Sequence, residues 1–266
     1  MKVSPPFVVV LALCTASIAN SAELQTNTLA AWDQYIGVVD ARLKASPAAD
    51  GAFLWVDQAP GQAQRVRRGE VVVSQIKAPA AQRIPHGLIH DWIGAVFIPD
   101  ATLPEVLAAA RNYDQFPTWY GPTIVHANLL SQSDNEDRVT IRYVRTVLFV
   151  TVVVEAEYET RYYPVDATRL YSVARSAHID EIQDYGKSNQ RKTPSDDGSG
   201  FIWRTYTVTR YEQRDGGVYM EQENIVLSRS IPASFRWLVE PAVRRLAKDL
   251  LDQSLRQTRE MLRPKR

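Results

Sequence analysis

The side chains best equipped for chemistry lie on two runs near the end of the chain. Residues 201–213 and 218–229 alternate in character and are joined by Arg214-Asp215-Gly216-Gly217. An Asp-Gly pair accepts the positive φ angles of a two-residue turn, so this stretch predicts a β-hairpin. Successive strand side chains point to opposite faces. A turn near Asp215-Gly216 therefore places Arg204, Tyr206, Val208 and Arg210 on one face with Tyr219, Glu221, Glu223, Ile225, Leu227 and Arg229. Arg210 then falls opposite Glu221 or Glu223. The other face carries Trp203, Thr205, Thr207, Thr209, Met220, Gln222, Asn224 and Val226. If the charged face meets water, its cross-strand ion pairs are worth ~0.2–1 kcal/mol each, the ordinary condition of an exposed strand. If it turns inward, the arginines and glutamates must be paired, because an isolated buried charge is costly. A paired set could hold a ligand's polar head, or bring Arg204, Glu221 and Arg229 to a reaction.

A second candidate group is aromatic. Tyr113, Phe116, Trp119 and Tyr120 fall within eight residues. They either form a lid over the mouth of a cavity or complete a core, since aromatic clusters serve both ends. The four histidines are His86, His90, His126 and His178. His86 and His90 flank the start of a strand, and with Asp91 they offer no third ligand at a recognised spacing, so no metal site is expected. The chain has no Gly-x-Ser-x-Gly elbow, no phosphate-binding loop and no dinucleotide glycine fingerprint. The usual signatures of hydrolases, nucleotide binders and dehydrogenases are thus missing, and no cofactor is expected.

These residues need elements to position them. Residues 24–44 read as a helix with Leu29, Trp32, Ile36, Val39 and Leu43 on one side, ended by Ser46-Pro47. Short strands are expected at 53–56 and 69–73. A longer one at 88–98 stops at Pro99, and Asp100 or Thr102 can cap the helix that follows, with Pro104 and Glu105 in its first turn. Pro117 should break that helix. Strands are then expected at 124–130, 139–150, 152–162 and 170–182. In the third of these, Val152, Val154, Ala156, Tyr158 and Tyr162 alternate with Glu155, Glu157, Glu159 and Arg161, the pattern of an antiparallel sheet with one dry face. Residues 187–200 are polar and read as a mobile loop. After the hairpin, Pro232 leads into a long amphipathic helix from Phe235 to Leu262. One side of it carries Val243, Leu246, Ala247, Leu250, Leu251, Leu255 and Thr258, and the other carries Arg245, Lys248, Asp249, Asp252, Arg256 and Arg259.

The first 22 residues stand apart. Lys2, the apolar run 7–13 and the mostly small residues 17–22 have the layout of a secretory signal peptide, with cleavage expected after Ala19 or Ala22. The apolar run is too short to span ~30 Å of hydrocarbon. Cys14 is the only cysteine and lies inside this segment, so the exported chain would have no disulfide. With 31 basic and 30 acidic residues the charge is balanced, which argues against a nucleic-acid partner. No second long apolar run suggests an integral membrane segment. The expected organisation is a signal peptide at 1–22, an extension at 23–86 packed on the main domain, and that domain at 87–266.

The element order is a strand, paired short helices, antiparallel strands and a long C-terminal helix. It resembles the helix-grip order of the START-like superfamily (SRPBCC), which includes the polyketide cyclase and dehydrase proteins. The resemblance runs from about Gly87 to Leu262. Its more specific stretches are Gly87-Leu88-Ile89-His90-Asp91-Trp92-Ile93-Gly94, Phe97-Ile98-Pro99, Gly200-Phe201-Ile202-Trp203-Arg204 and Leu227-Ser228-Arg229-Ser230-Ile231-Pro232. These are similar to stretches of exported bacterial members, a subgroup with no established reaction. The resemblance implies an α+β fold in which a curved antiparallel sheet wraps the C-terminal helix and leaves a hydrophobic cavity. The expected function is that of an exported, periplasmic or extracellular protein that binds or transfers a lipid or other hydrophobic small molecule in that cavity. The candidate contacts are Tyr113, Phe116, Trp119, Tyr120, Arg204, Tyr206, Glu221, Glu223 and Arg229. A cyclase-, dehydratase- or hydrolase-type enzyme using the same cavity, and a structural partner in an envelope complex, are the alternatives; fold-level likeness does not choose among them.

Overall fold

The computed structural model describes residues 23–45, 52–76, 83–147, 150–231 and 236–263. The proposed signal peptide with Cys14, Ser46-Pro47, Pro232 and the last three residues lie outside them.

Strand-forming residues dominate the middle of the chain and give ten strands in one antiparallel sheet. They are β1 (Val72–Gln75), β2 (Arg83–Ile84), β3 (Gly87–Pro99), β4 (Ile124–Gln132), β5 (Glu136–Val147), β6 (Val150–Pro164), β7 (Arg169–Gln183), β8 (Arg191–Pro194), β9 (Arg204–Arg214) and β10 (Gly217–Arg229). The order across the sheet is β1-β3-β10-β9-β7-β6-β5-β4, with β2 paired to β3 and β8 to β7. The hairpin turn falls where expected: Asp215 (φ 56°) and Gly216 (φ 78°) both take the left-handed backbone, and Gly217 pairs with Arg214.

Five α-helices are found among the described residues: α1 (Thr26–Ala45), α2 (Gln62–Arg67), α3 (Leu103–Ala110), α4 (Phe116–Trp119) and α5 (Arg236–Met261). Thr102 caps α3 in a reciprocal box with Glu105, satisfying two of the amide groups the helix start leaves open. Helix α5 lies on one face of the sheet, where Leu251 and Leu255 pack with Val96, Ile98, Tyr211, Val218 and Met220. Contact with β3 is close at Gly94, where a Cβ would stand 2.7 Å from Leu255 Cδ1. Helix α1 covers the other face, burying Trp32, Ile36, Val39 and Leu43 against Ile89, Tyr206, Val208, Ile225 and Leu227. Both faces of the central strands are therefore covered, which is why β3 reads as an almost unbroken apolar run. The fold is α+β, a curved antiparallel sheet held against its C-terminal helix.

Four local expectations need correction. Residues 53–56 form no strand; Leu54 and Val56 are buried beside Phe97 and Tyr219, and Trp55–Asp57 is a single 3-10 turn. A four-residue apolar run has too few positions to show a period. Pro117 does not break a helix. It sits in the first turn of α4, where an absent N–H costs nothing, and the chain has already left α3 at Ala110. The polar segment 187–200 is partly ordered as β8 and a 3-10 turn at Ser195–Asp197. It is pinned by Glu181, whose carboxylate accepts from Ser199 N (2.8 Å), Ser199 Oγ (2.7 Å) and Gly200 N (3.1 Å). Finally, Arg259 is not on the wet side of α5: it is buried and donates to Gly69 O.

Candidate functional site

Strand alternation sorts the central residues into two sets. His90, Trp92, Gly94 and Val96 on β3 face α5, as do Met220, Gln222, Asn224 and Val226 on β10 and Thr205, Thr207, Thr209 and Tyr211 on β9. Their neighbours face α1. The two sets differ in burial. On β10, Glu221, Glu223, Ile225 and Leu227 are fully buried under the α1 side, whereas Gln222, Asn224 and Val226 on the α5 side are only half-buried. Half-exposure is unusual for interior strands lying beneath a helix. The helix shows the same gradient: Leu251, Leu255 and Thr258 are buried, while Val243, Leu246, Ala247 and Leu250 on the same apolar band are half-buried. The second half of α5 is thus packed onto the sheet, and the concave sheet surface beside its first half is covered less completely.

That surface is bounded by aromatics on its far side. Phe116, Tyr120, Tyr143 and Tyr158 pack against the buried cluster of Tyr113, Ile124, Val139 and Ile141. Tyr143 and Tyr158 meet edge to face with centroids 6.4 Å apart. Burial pushes both phenols above their ordinary range, so both stay neutral. Tyr120 hydroxyl lies 2.9 Å from Thr258 Oγ1, tying α4 to the packed end of α5. Tyr113 is core: its hydroxyl donates to Asp137 Oδ2 (2.9 Å), and Asp137 also takes Arg111 Nη2 at 2.6 Å. Trp119 is half-buried. The structure therefore brings Phe116 and Tyr120 to the edge of the open surface and sends Tyr113 into the interior behind it.

The charged set of the hairpin is placed on the other face, beneath α1, away from α5. The expected solvated face is not found. Arg210 Nη1 donates to Glu221 Oε1 (3.1 Å) and stands 3.7 Å from Glu223 Oε2. Glu223 also pairs with Arg42 of α1. Glu221 accepts from Val56 N at 3.3 Å. Glu221 is 0% exposed and Glu223 1%, so water contributes nothing to their solvation and the pairing must supply it. Asp91 joins this group from β3, accepting from Tyr35 hydroxyl at 2.6 Å. Burial, then the nearby Glu223, pushes Asp91 up to about 7; burial also pushes Glu221 up to about 7. Tyr206 is buried on the same face, hydrogen-bonded to Asp40 of α1 with the Arg175 guanidinium 4.9 Å over its ring. Arg204 is tied to Asp196 at 2.6 and 2.9 Å. Arg229 is half-buried, and desolvation lowers its guanidinium pKa against the opposing pull of Glu181. Arg204, Tyr206, Glu221 and Glu223 thus seat the N-terminal helix and the 195–200 segment.

The hairpin's uncharged face is the one that meets α5. Its signal was present in the alternation, as a run of threonines and amides with no ionisable group. Trp203 is an exception: it precedes β9, leaves the alternation and packs on the α1 side. His90 faces α5, with Nε2 3.0 Å from Ser228 Oγ, and burial, then Arg244, pulls it down to about 4, so it is neutral at physiological pH. Among the described residues no helix is long and apolar enough to cross a membrane.

No family model matches this chain, and no curated protein does. Among solved structures it is similar to a fragment of the STAR-related lipid transfer protein of Xanthomonas axonopodis. That likeness has 16% identity and a TM-score of 0.46, covering 72% of this chain and 99% of that one. It is also similar to human STARD10, with 8% identity and a TM-score of 0.45 over 71% of this chain and 69% of that one. A third likeness, to the Zhui aromatase/cyclase of Streptomyces sp. R1128, has 11% identity and a TM-score of 0.41 over 65% and 96%. The fold of this chain is α+β, a curved antiparallel sheet with the C-terminal helix lying on β3.

Proposed function

We propose that this chain binds, and carries, a hydrophobic small molecule or lipid between the concave sheet face and the first half of α5. The observation that supports this reading is the paired half-exposure of Val243, Leu246, Ala247 and Leu250 on the helix and of Trp92, Gln222, Asn224 and Val226 on interior strands opposite. Apolar helix residues that the protein's own side chains leave unsealed gain by meeting an apolar guest, at about 25 cal/mol per Å² removed from water. On that face His90, Tyr143, Tyr158, Tyr162 and Tyr211 are all held neutral, His90 by a lowered pKa and the phenols by raised ones, which suits holding a guest better than moving protons. The signal-peptide layout of the first 22 residues supports a reading in which the chain works outside the cytoplasm. Native mass spectrometry of protein purified from its own host tests the reading. A complex heavier than the chain, whose extra mass extracts into organic solvent as an apolar compound, is expected. Recovery of bare chain alone under gentle ionisation, with no uptake from lipid vesicles, would refute it. N-terminal sequencing of the same sample should begin at Asn20 or Glu23.

A further inference from the structure

The open face is lined by an unusual set. Two register rows cross the sheet directly beneath α5. One runs Trp92, Asn224, Thr207, Ala174 and the next Gly94, Gln222, Thr209, Ser172, each residue opposite its neighbour on the adjoining strand. Four central strands thus present hydrogen-bonding groups and no charge where a helix-covered face is ordinarily aliphatic. Several of those groups are incompletely used. Trp92 Nε1 is buried with no hydrogen-bond partner. Gln222 Nε2 donates to Asn224 Oδ1 at 3.1 Å, which leaves the carbonyl of one amide and the amino group of the other to be satisfied. Buried polar atoms are nearly always partnered, so an indole N–H left over in such a row marks where an acceptor belongs.

Charges at the margins of this surface are already held. Arg145 donates to Thr123 Oγ1 and Gln253 Oε1, both at 3.0 Å, at the packed end of α5. Glu240 pairs with Arg244 at 2.6 Å, and Asp137 is enclosed by Arg111 and Tyr113. A carboxylate or phosphate lying on the two rows would find neutral donors and no counter-ion, a poor exchange for its hydration.

From this we infer that the guest is an uncharged amphiphile, a long apolar molecule bearing a hydroxyl, ester or ketone that pairs with Trp92 Nε1 and the Gln222–Asn224 amides. The inference rests on the binding reading above and names its ligand class.

The test uses the full chain loaded with Nile red, displaced at pH 8 by 1-hexadecanol, hexadecane or hexadecanoate. The wild type is expected to prefer hexadecanol to both others by about tenfold or more. Asn224→Leu should cut the hexadecanol-over-hexadecane preference by about three- to tenfold, the worth of one hydrogen bond. Trp92→Phe, which keeps an aromatic ring but loses the N–H together with the pyrrole half of the indole, should do the same, with the unfolding midpoint of each variant confirming the fold. Hexadecanoate displacing the dye as well as hexadecanol would overturn the uncharged class and leave the binding reading standing. Equal affinity for hexadecanol and hexadecane would remove the polar contact. No dye uptake and no displacement by any of the three would sink the binding reading, and this inference with it.

Discussion

Replacing Gly94 by Ala probes the contact that fixes α5 on the sheet. A Cβ at this position would meet Leu255 Cδ1 at 2.7 Å, Val73 Cγ2 at 3.1 Å and Leu251 Cδ2 at 3.3 Å. Leu255 is 0% exposed and Leu251 1%, so neither has room to swing aside. Overpacking of this kind costs ~1–3 kcal/mol, less the ~0.5–1 kcal/mol that alanine gains over glycine in a strand. Leu255→Ala alone empties a buried site and costs ~2–5 kcal/mol. Because the second change removes the atom that the first collides with, the double variant should be more stable than the summed losses by about 1 kcal/mol or more. Urea unfolding followed by far-UV circular dichroism measures all four proteins, with unchanged slopes licensing the comparison. Losses that add to within ~0.5 kcal/mol would mean that α5 does not lie on β3 at Gly94, and the architecture argued above would be wrong.

Three further outcomes follow from the buried charges. Asp91 and Glu221 are both raised to about 7 in the folded chain, well above their unfolded carboxyl values. The folded state therefore binds more protons than the unfolded one between about pH 4 and 7, and stability from these groups falls as pH rises through that window. Asp91→Asn should flatten this fall and gain on the order of 1–3 kcal/mol at pH 8 relative to wild type; a wild-type-minus-variant difference that grows with pH would contradict it. Asp137→Ala strips the carboxylate shared by Arg111 and Tyr113, emptying a 0%-exposed site and leaving the Arg111 guanidinium with the carbonyls of Ser133 and Asp134 but no counter-ion there. It should lose ~3–5 kcal/mol in urea titrations, against ±0.5 kcal/mol for an exposed pair. Glu181→Ala removes the acceptor of three hydrogen bonds from Ser199 and Gly200, so amide exchange should quicken across 195–200 and leave the α5 contact at Leu251 unchanged.

The fold was legible because its signals are periodic and long. The alternation in β6, the Asp215-Gly216 turn, the capping pair at Thr102 and Glu105, and the one-sided bands of α1 and α5 each follow from local geometry. The helix-grip arrangement followed from their order. What the sequence withheld is which helix covers which face. Arg204, Tyr206, Glu221 and Glu223 share a face by strand period, but that face turns towards α1 only because Asp40 and Arg42 reach across from residues about 165 to 180 positions away to meet it. A charged strand face reads as solvated unless its distant partners are known. The half-open lining was legible only in retrospect: Trp92, Asn224 and Thr207 become a row only once β3, β10 and β9 are in register.

The account stands on spare room beneath the first half of α5, and Thr207→Phe measures it. Thr207 faces α5 from an interior strand and is half-buried. If space lies above it, a phenyl ring enters with no collision, and the thermal midpoint stays within about 2 °C of wild type or rises as the ring buries apolar surface. Dye and lipid uptake should fall in the same variant. A midpoint lowered by more than about 4 °C, the mark of ~1–3 kcal/mol of overpacking, would show the interior to be filled and leave no place for a guest.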